Sequence, residues 1–355
     1  MWNLTYARAV QLVATAAAAT IMLGGCHTTT TSAPVRSVSA RSMTPAPSAA
    51  AAGAASVQLI QEPDAGMDAL YRLINSARST LDMTMYALAD RTAENDLVAA
   101  ARRGVTVRVL LNADYGGKVT NGAAYRILSA GGVMARWAPS NVIFHEKAFV
   151  ADGHTLAVGT GNLQSRYYPT GVDAWVVTTS PTQAAAVEST FATDFASGSS
   201  DSASAAAASG GLVWSPGATA ALTGAIAAAR TSVWFSSEEL SDHPVIAALE
   251  AAGRRGVDCR ILMTDDPKWH TAFGQLAAAG CHVRIYSATA DRYIHEKQIL
   301  TDPGQPSAAA LIGSQNATVT SLGRNRELSV QLTDQAVIGA AAATYSKLYG
   351  AAAPA

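Results

Sequence analysis

The chain has 355 residues, of which 49% are hydrophobic, enough to fill the cores of two domains of ordinary size. Charged residues account for only 14%, and 25 Lys and Arg against 26 Asp and Glu give a formal net charge of −1. This balance excludes tight, unselective nucleic-acid binding through overall charge, but it is compatible with a local basic cleft.

Residues 1–26 have the features of an export signal. Arg8 supplies a positive charge, an apolar run covers residues 12–23, and Leu-Gly-Gly-Cys ends at Cys26. The run is short for a bilayer span. Its end resembles a bacterial lipobox, which implies lipidation of Cys26 and an exported lipoprotein, anchored at the periplasmic or extracellular face of a membrane. An ordinary cleaved signal and an uncleaved anchor are the alternatives.

Low-complexity composition marks two segments that cannot build a core. Residues 27–56 are mostly Thr, Ser, Ala and Pro, which is typical of a disordered tether. Residues 198–211 are mostly Ser, Ala and Gly and indicate a linker. The linker divides the folded sequence into a first half, residues 57–197, and a second half, residues 212–350.

Helical and strand patterns alternate along the first half. Apolar spacing and glycine stops indicate the helices, and β-branched or alternating apolar runs indicate the strands. The predicted helices cover 66–74, 93–103, 123–130 and 181–195, and the predicted strands cover 81–86, 105–111, 133–137, 156–158 and 173–178.

The second half repeats the first. Residues 253–262 match residues 101–110. A predicted strand at 232–236 matches the strand at 80–84 at the same offset. This is a duplication of one αβ unit. Strands that alternate with helices predict an α/β fold in which each half is a mixed, mostly parallel sheet flanked by helices.

One motif occurs in both halves. Each copy reads His, Glu, Lys, four residues and Asp, followed by Gly-(Thr/Ser)-x-Asn and later by an acid. Because side chains alternate along a strand, each His and its Lys should project together, as a reactive imidazole beside a fixed cation. A single His-x-Lys is commonly accidental, but two copies with matching offsets are not. The copies comprise His145, Lys147, Asp152, Asn162 and Asp173 in the first half, and His295, Lys297, Asp302, Asn316 and Glu327 in the second.

The repeated pattern resembles the HKD motifs of the phospholipase D superfamily, over nearly the whole chain after the N-terminal tail. The resemblance implies two halves that share one active site at a pseudo-two-fold interface, with no metal and no cofactor. Because both motifs lie in one chain, a monomer is expected. There are two departures from the family pattern. Pro303 to Pro306 looks like a hairpin insertion, and Thr160 stands where Ser is commoner.

The resemblance also implies roles for the repeated residues. One histidine attacks phosphorus to form a phosphohistidine and the other protonates the leaving oxygen. The family pattern favours His145 as nucleophile and His295 as general acid, whereas the residues themselves leave the order open. The lysines bind the non-bridging oxygens, and the two asparagines, Asn162 and Asn316, add neutral donors.

The remaining motif residues are acids. Asp173 and Glu327 match the acids that orient the histidines and fix their tautomers. Asp173 is one methylene shorter than the usual Glu, so its contact is the less secure one. Asp152 and Asp302 are interpreted as turn or structural residues.

Four further residues outside the repeated motif are candidates for a role in the site or in the fold. Tyr86 and Glu238 occupy equivalent strand-end positions and are candidates to line the cleft. Cys259 and Cys281 either form a disulfide or remain two small buried hydrophobic residues.

Three functions are compatible with the sequence. The first is hydrolysis of phospholipids or transfer of their head groups, including cardiolipin-synthase-like chemistry. The second is a metal-independent nuclease acting on DNA or RNA. The third, a catalytically silent binding protein, is disfavoured because both His-Lys pairs are complete. The absence of a basic run in the sequence and the predicted membrane tether favour a phospholipid substrate over nucleic acid.

Overall fold

The computed structural model describes residues 55–197 and 210–355, and each half folds as a mixed sheet flanked by helices. The predicted export signal with Cys26, and most of the predicted tether and linker, lie outside these residues. In the described ranges, no helix is both long and apolar enough to cross a membrane.

The first half contains nine strands and four α-helices. The strands are β1 (Val57–Glu62), β2 (Thr80–Met85), β3 (Leu88–Ala89), β4 (Thr106–Leu111), β5 (Met134–Trp137), β6 (Lys147–Ala151), β7 (Thr155–Gly159), β8 (Leu163–Gln164) and β9 (Gly171–Thr178). The helices are α1 (Asp68–Ser76), α2 (Arg91–Arg102), α3 (Gly117–Ala130) and α4 (Pro181–Ser197).

The second half, from residue 210 onward, repeats this order. Its strands are β10 (Leu212–Ser215), β11 (Ser232–Ser236), β12 (Asp258–Thr264), β13 (His282–Tyr286), β14 (Tyr293–Ile294), β15 (Gln298–Thr301), β16 (Ala309–Gly313), β17 (Glu327–Leu332) and β18 (Ala353–Pro354). Its helices are α5 (Thr219–Ala228), α6 (His243–Arg254), α7 (His270–Ala278), α8 (Val319–Gly323) and α9 (Gln335–Ala351).

The strand orders of the two sheets confirm the duplication and the α/β class. The first sheet runs β1-β9-β7-β6-β2-β4-β5 and the second runs β10-β17-β16-β15-β11-β12-β13-β18. The expectation of mostly parallel pairing is wrong. Only β2-β4-β5 and β11-β12-β13 are parallel along these paths, whereas the other neighbours pair antiparallel. The physical reason is that each motif strand and the two sheet strands after it follow one another without a crossover helix, as in a meander.

The two halves share a hydrophobic core. Val150 and Val158 of the first sheet and Trp214, Ile312 and Val330 of the second belong to one cluster of buried side chains. Two further clusters each lie within one half, between its sheet and its helices. The motif strands β6 and β15 both contribute to the shared core, which fixes the two motifs relative to each other.

Cys259 in β12 and Cys281 just before β13 are joined by a disulfide, with their Cα atoms 4.6 Å apart. Of the two alternatives for these cysteines, the structure therefore has the bonded one. The bond ties neighbouring parallel strands on the outer side of the second sheet.

Candidate active site

The histidines and acids of the two motifs pair across the halves. His145 Nδ1 lies 2.8 Å from an oxygen of Glu327, and His295 Nδ1 lies 2.7 Å from Asp173 Oδ1. Each acid therefore orients the histidine of the other half. The shorter Asp173 reaches its partner as closely as Glu327 does, so its missing methylene does not weaken the contact.

Backbone pairing between the halves produces this crossing. The short strand β14 pairs in parallel with the start of β9, at Gly171 and Val172. The Val172 carbonyl accepts hydrogen bonds from the His295 and Glu296 amides at 3.2 and 2.7 Å. On the other side, the His145 amide donates to the Arg326 carbonyl at 2.9 Å. The chain that leads into each motif is thus held against the acid-bearing strand of the opposite half.

Small polar side chains hold both acids ionised. Glu327 accepts hydrogen bonds from Ser321 Oγ at 2.5 Å and Asn325 Nδ2 at 2.9 Å, and Asp173 accepts one from Thr160 Oγ1 at 2.6 Å. Burial raises the pKa of each acid, but the facing histidine and lysine and these hydrogen bonds outweigh it. The pKa of Asp173 and that of Glu327 are therefore both lowered.

The surroundings of His145 favour its neutral form. Burial lowers its pKa to about 4, since desolvation and Lys147 outweigh the attraction of Glu327. The ring of Tyr86 lies edge-on, with centroids 4.5 Å apart. With Glu327 on Nδ1, the single proton of the neutral ring sits on Nδ1, and Nε2 keeps its lone pair.

The two motif lysines are buried beside the histidines. Each Nζ donates to the backbone carbonyl of its own motif histidine, Lys147 at 2.6 Å and Lys297 at 2.5 Å. Burial and the charge of Lys297 lower the pKa of Lys147 well below its usual value. The sequence placed each His and Lys on one strand, but β6 begins at Lys147, and His145 lies just before it. The pair converges through this hydrogen bond instead of through strand alternation.

Tyr86 and Glu238, singled out as equivalent positions, both lie at the motif histidines. Tyr86 contacts His145, and Lys147 Nζ lies 4.9 Å from the centre of its ring. Glu238 Oε2 lies 3.3 Å from His295 Nε2 and 3.2 Å from Lys297 Nζ. The two halves of the site are therefore alike in their motif residues but differ in this neighbour.

Asn162 and Asn316 follow the strands β7 and β16 that run beside the motif strands. The side-chain oxygen of each is buried, and none of the described residues pairs with it by a hydrogen bond. An amide held in this way has unused hydrogen-bonding capacity for a ligand. Because the unpaired atom of each is an acceptor, the expected role of both residues as neutral donors stays a prediction.

Asp152 and Asp302 lie away from the reacting groups. Each accepts backbone hydrogen bonds from the residues that lead into β2 or β11, and each has a positive φ, 54° and 49°. Their place in tight turns agrees with their interpretation as structural residues.

Several residues that support the site carry no signal in the sequence. Ser321 and Asn325, which bond Glu327, lie in α8 and the turn after it. Glu62, at the end of β1, is the register partner of Asp173, and burial together with Asp173 raises its pKa to about 7. No motif marks these positions. The role of Glu62 depends on β1 pairing with β9, whereas Ser321 and Asn325 reach Glu327 from nearby in the sequence. Within the described ranges, no group of three His, Cys, Asp or Glu is placed to hold a metal ion.

Comparison with known proteins identifies a family model and relatives that this chain resembles. The family model described as "Cardiolipin synthase, PLD-like domain" matches residues 70–195 and again residues 222–349. Cardiolipin synthase 2 of Bacillus anthracis and that of Bacillus cereus are each 32% identical over 117 residues, 31% of this chain and 21% of the relative. The match thus spans about a fifth of the length of these relatives.

Two solved structures share the fold. Phosphatidylserine synthase from Haemophilus influenzae superposes with a TM-score of 0.64 at 12% identity, over 84% of this chain and 87% of that one. Polyphosphate kinase from Porphyromonas gingivalis gives a TM-score of 0.62 at 16% identity, over 82% and 50%. The family match covers most of both halves and coincides with the crossed His–acid pairs, so the chain belongs to the phospholipase D superfamily and carries two copies of its domain.

Proposed function

We propose that the protein is a phosphodiesterase of the phospholipase D type that hydrolyses phospholipids or transfers their head groups through a phosphohistidine. The observation that carries the proposal is the pair of crossed histidines above two buried lysines. One histidine is neutral with a free Nε2, and the other has carboxylates at both ring nitrogens. This arrangement supplies a nucleophile, a proton donor and fixed positive charge in one cleft.

The first step forms the covalent intermediate. His145 Nε2 attacks phosphorus, the bond from phosphorus to the head-group oxygen breaks, and that oxygen takes a proton from His295 Nε2. Lys147 and Lys297 stabilise the charge on the non-bridging oxygens, and buried cations do this at no reorganisation cost.

The second step returns the enzyme to its starting state. An acceptor hydroxyl gives its proton to His295, its oxygen attacks phosphorus, and the phosphorus–nitrogen bond to His145 breaks. Water as the acceptor gives hydrolysis, and an alcohol gives head-group transfer.

The choice of phospholipid as substrate rests on the relatives and on charge. The relatives named above are cardiolipin synthases, and one structure of the same fold is a phosphatidylserine synthase. The net charge of −1 offers no broad attraction to a nucleic-acid backbone. The same chemistry would also cleave DNA or RNA, so nucleic acid is the substrate against which the proposal is tested.

The test compares lipid and nucleic acid on one preparation of the full chain. Vesicles of phosphatidylglycerol, phosphatidylethanolamine or phosphatidylcholine are incubated with and without added ethanol or glycerol, beside linear and plasmid DNA at physiological salt. We expect phosphatidic acid without an alcohol and a new phosphatidyl alcohol with one. His145→Asn and His295→Asn should each abolish both products. DNA degradation without any lipid product would overturn the lipid assignment and leave the mechanism intact.

We further propose that the protein is exported and held at a membrane by a lipid on Cys26. The support is the Leu-Gly-Gly-Cys sequence after an apolar run. Cys26→Ser should remove the lipid mass from the mature protein and release it from the membrane fraction. An unmodified Cys26 in the mature wild-type protein would refute this part of the proposal.

A further inference from the structure

The two halves contribute the same His, Lys and Asn to the site, but one neighbouring position differs. Tyr86 follows β2 in the first half, and Glu238 occupies the corresponding place after β11 in the second. A tyrosine ring is uncharged at neutral pH, whereas a carboxylate attracts protons and cations. A single substitution between the halves therefore gives the two histidines different electrostatic surroundings.

Glu238 makes three polar contacts, all with residues of the second motif. Its Oε2 lies 3.3 Å from His295 Nε2 and 3.2 Å from Lys297 Nζ, and its Oε1 accepts a hydrogen bond from the Tyr293 hydroxyl at 3.0 Å. The carboxyl is only partly exposed, with 24% of its side chain open to solvent. Tyr293 and Lys297 thus fix both oxygens, and Oε2 is aimed at His295 Nε2.

His295 consequently faces a carboxylate at both ring nitrogens, Asp173 at Nδ1 and Glu238 at Nε2. A neutral imidazole has one N–H and cannot donate to both, whereas the doubly protonated ring satisfies both. His145 faces one carboxylate, Glu327, and no other lies within ion-pair distance of it among the described residues. The contacts therefore favour a charged His295 beside a neutral His145.

We propose that Glu238 is a positioning residue that keeps the second proton on His295, which makes His295 the general acid and leaves His145 as the nucleophile. The inference rests on the phosphohistidine chemistry proposed above. It explains how two halves with the same motif take different roles in one reaction.

Without Glu238, the other charges around His295 would not keep a second proton on its ring. Lys297 is a cation beside the ring and opposes a second proton, and Glu238 offsets it because Oε2 contacts both groups. Burial raises the pKa of Glu238, but His295 and Lys297 outweigh it and hold the pKa well below its usual range. The titratable and charged groups that face His295 or Glu238 are Tyr86, His145, Lys147, Asp173, Glu239, Tyr293 and Lys297.

His295 Nε2, which Glu238 contacts, is also the atom that donates to the leaving oxygen in the proposed first step. When the phosphorus–oxygen bond breaks, the proton passes from Nε2 to that oxygen and the ring becomes neutral. The acceptor hydroxyl returns a proton to Nε2 in the second step, and the contact with Glu238 holds it there for the next turnover.

The protonation state can be measured without any substrate. In ¹⁵N-histidine-labelled full chain at pH 7, His295, assigned by its loss in His295→Asn, should show two protonated ring nitrogens. Glu238→Gln should show one, and Glu238→Asp should restore the second in part. Glu239→Gln, with the same charge change in the same loop, should leave the signal unchanged. A doubly protonated His295 in Glu238→Gln would overturn the inference.

Kinetics on glycerophosphocholine, a diester without acyl chains whose choline leaving group must be protonated, gives a second readout. Glu238→Gln should lower kcat by about 10²-fold at pH 8, and the alkaline limb of its pH profile should move to lower pH. A uniform loss at all pH values would indicate a merely structural role. If phospholipids prove not to be substrates, this result and the NMR result still stand, so the two proposals fail separately.

The exchanged variant Tyr86→Glu/Glu238→Tyr tests the assignment of roles. Wild type quenched in acid-free denaturant during turnover of bis(4-nitrophenyl) phosphate should carry the 4-nitrophenyl phosphoryl group on His145, located by peptide mass spectrometry. The exchanged variant should carry a larger share of this adduct on His295. An adduct that stays on His145 alone in a folded exchanged variant would contradict the inference.

Discussion

The environment of His145 sets the acid side of the pH profile. Because burial lowers its pKa to about 4, the ring stays neutral down to that pH and loses its lone pair only below it. An unperturbed histidine would lose half of its activity near pH 6.5. We therefore expect kcat/KM for a diester to be retained at pH 5 and to fall near pH 4. A fall near pH 6.5 in the wild-type protein, with its fold intact by circular dichroism, would contradict this.

Gly161 is required by the close approach of Asp173. A Cβ at this position would lie 2.7 Å from Asp173 Cγ, so the carboxyl must move if a side chain is added. The corresponding residue of the second half, Gln315, bonds elsewhere, to the Val213 carbonyl. The glycine is therefore specific to the half in which the short Asp173 must reach His295.

Gly161→Ala should lower kcat by about 10- to 100-fold, because a misplacement of about 1 Å is enough to cost that much. Gly224→Ala is the matched control, since a Cβ there meets nothing within 4 Å. The check is kcat together with the thermal midpoint of both variants. Full activity in Gly161→Ala would show that Asp173 is free to adjust.

In the proposed mechanism, Lys147 and Lys297 supply the positive charge that a metal would otherwise provide at a phosphodiester. Both are buried beside the histidines, so their charge acts at short range in a poorly solvated cleft. Activity should therefore remain nearly unchanged after exhaustive dialysis against EDTA. Loss of activity with recovery on addition of a divalent ion would contradict a role for the lysines as the sole cations.

At the scale of elements, one aspartate closes the turn after each motif strand. Asp302 Oδ1 accepts from the amides of Thr231 and Ser232 at 2.8 and 3.0 Å, and Asp152 Oδ1 accepts from Ser79 and Thr80 at 2.7 and 3.1 Å. These bonds attach the end of β6 or β15 to the start of β2 or β11. Asp302 is buried, whereas Asp152 is exposed.

Asp302→Asn should therefore destabilise the protein more than Asp152→Asn. Hydrogen bonds to a buried charged group contribute about 1.5–3 kcal/mol, and the exposed turn contributes less. Burial raises the pKa of Asp302, but its backbone and Thr231 hydrogen bonds outweigh it and lower the pKa. The contribution of Asp302 to the free energy of unfolding is thus fully present above about pH 4, the pKa of an aspartate in the unfolded chain. It is lost as the pH falls through the lower pKa of Asp302 in the folded protein.

The measurement is the urea midpoint of wild type and both variants between pH 7 and pH 3. The difference between wild type and Asp302→Asn should narrow toward the acid end. A difference that stays constant with pH would show that the charge of Asp302 is not what holds the turn. An equal effect in Asp152→Asn would show that burial does not strengthen these bonds.

At the scale of the whole molecule, local patterns could be predicted and long-range pairing could not. The strand at 232–236 and the helix beginning at Pro181 lie where the sequence placed them. Helix α3 begins at Gly117, before the predicted start at residue 123. The added stretch contains glycine and has low helix propensity. The buried Asn121 side chain hydrogen-bonds the backbone of Leu88 and Tyr86 and holds this stretch in the helix.

In the candidate site, too, local patterns could be predicted and long-range pairing could not. The repeated offsets identify the residues that meet, but they do not show which acid faces which histidine. That depends on β14 pairing with β9 and on the His145–Arg326 backbone contact, both between residues far apart in the sequence. The difference between Tyr86 and Glu238 could be predicted by aligning the strand ends of the two halves. Their contacts with the histidines could be identified only from the structure.

The shared core predicts that the two halves unfold together. Ile312 of β16 is fully buried in the cluster that also contains Val150 and Val158 of the first half. Ile312→Ala should cost about 2–5 kcal/mol. The loss should appear equally at ¹⁹F-labelled Trp175 in the first half and Trp214 in the second, with one urea midpoint for both. Val319→Ala, at an exposed site, should move neither midpoint. Two separate midpoints, with only that of Trp214 lowered by Ile312→Ala, would show that each half is stable without the other.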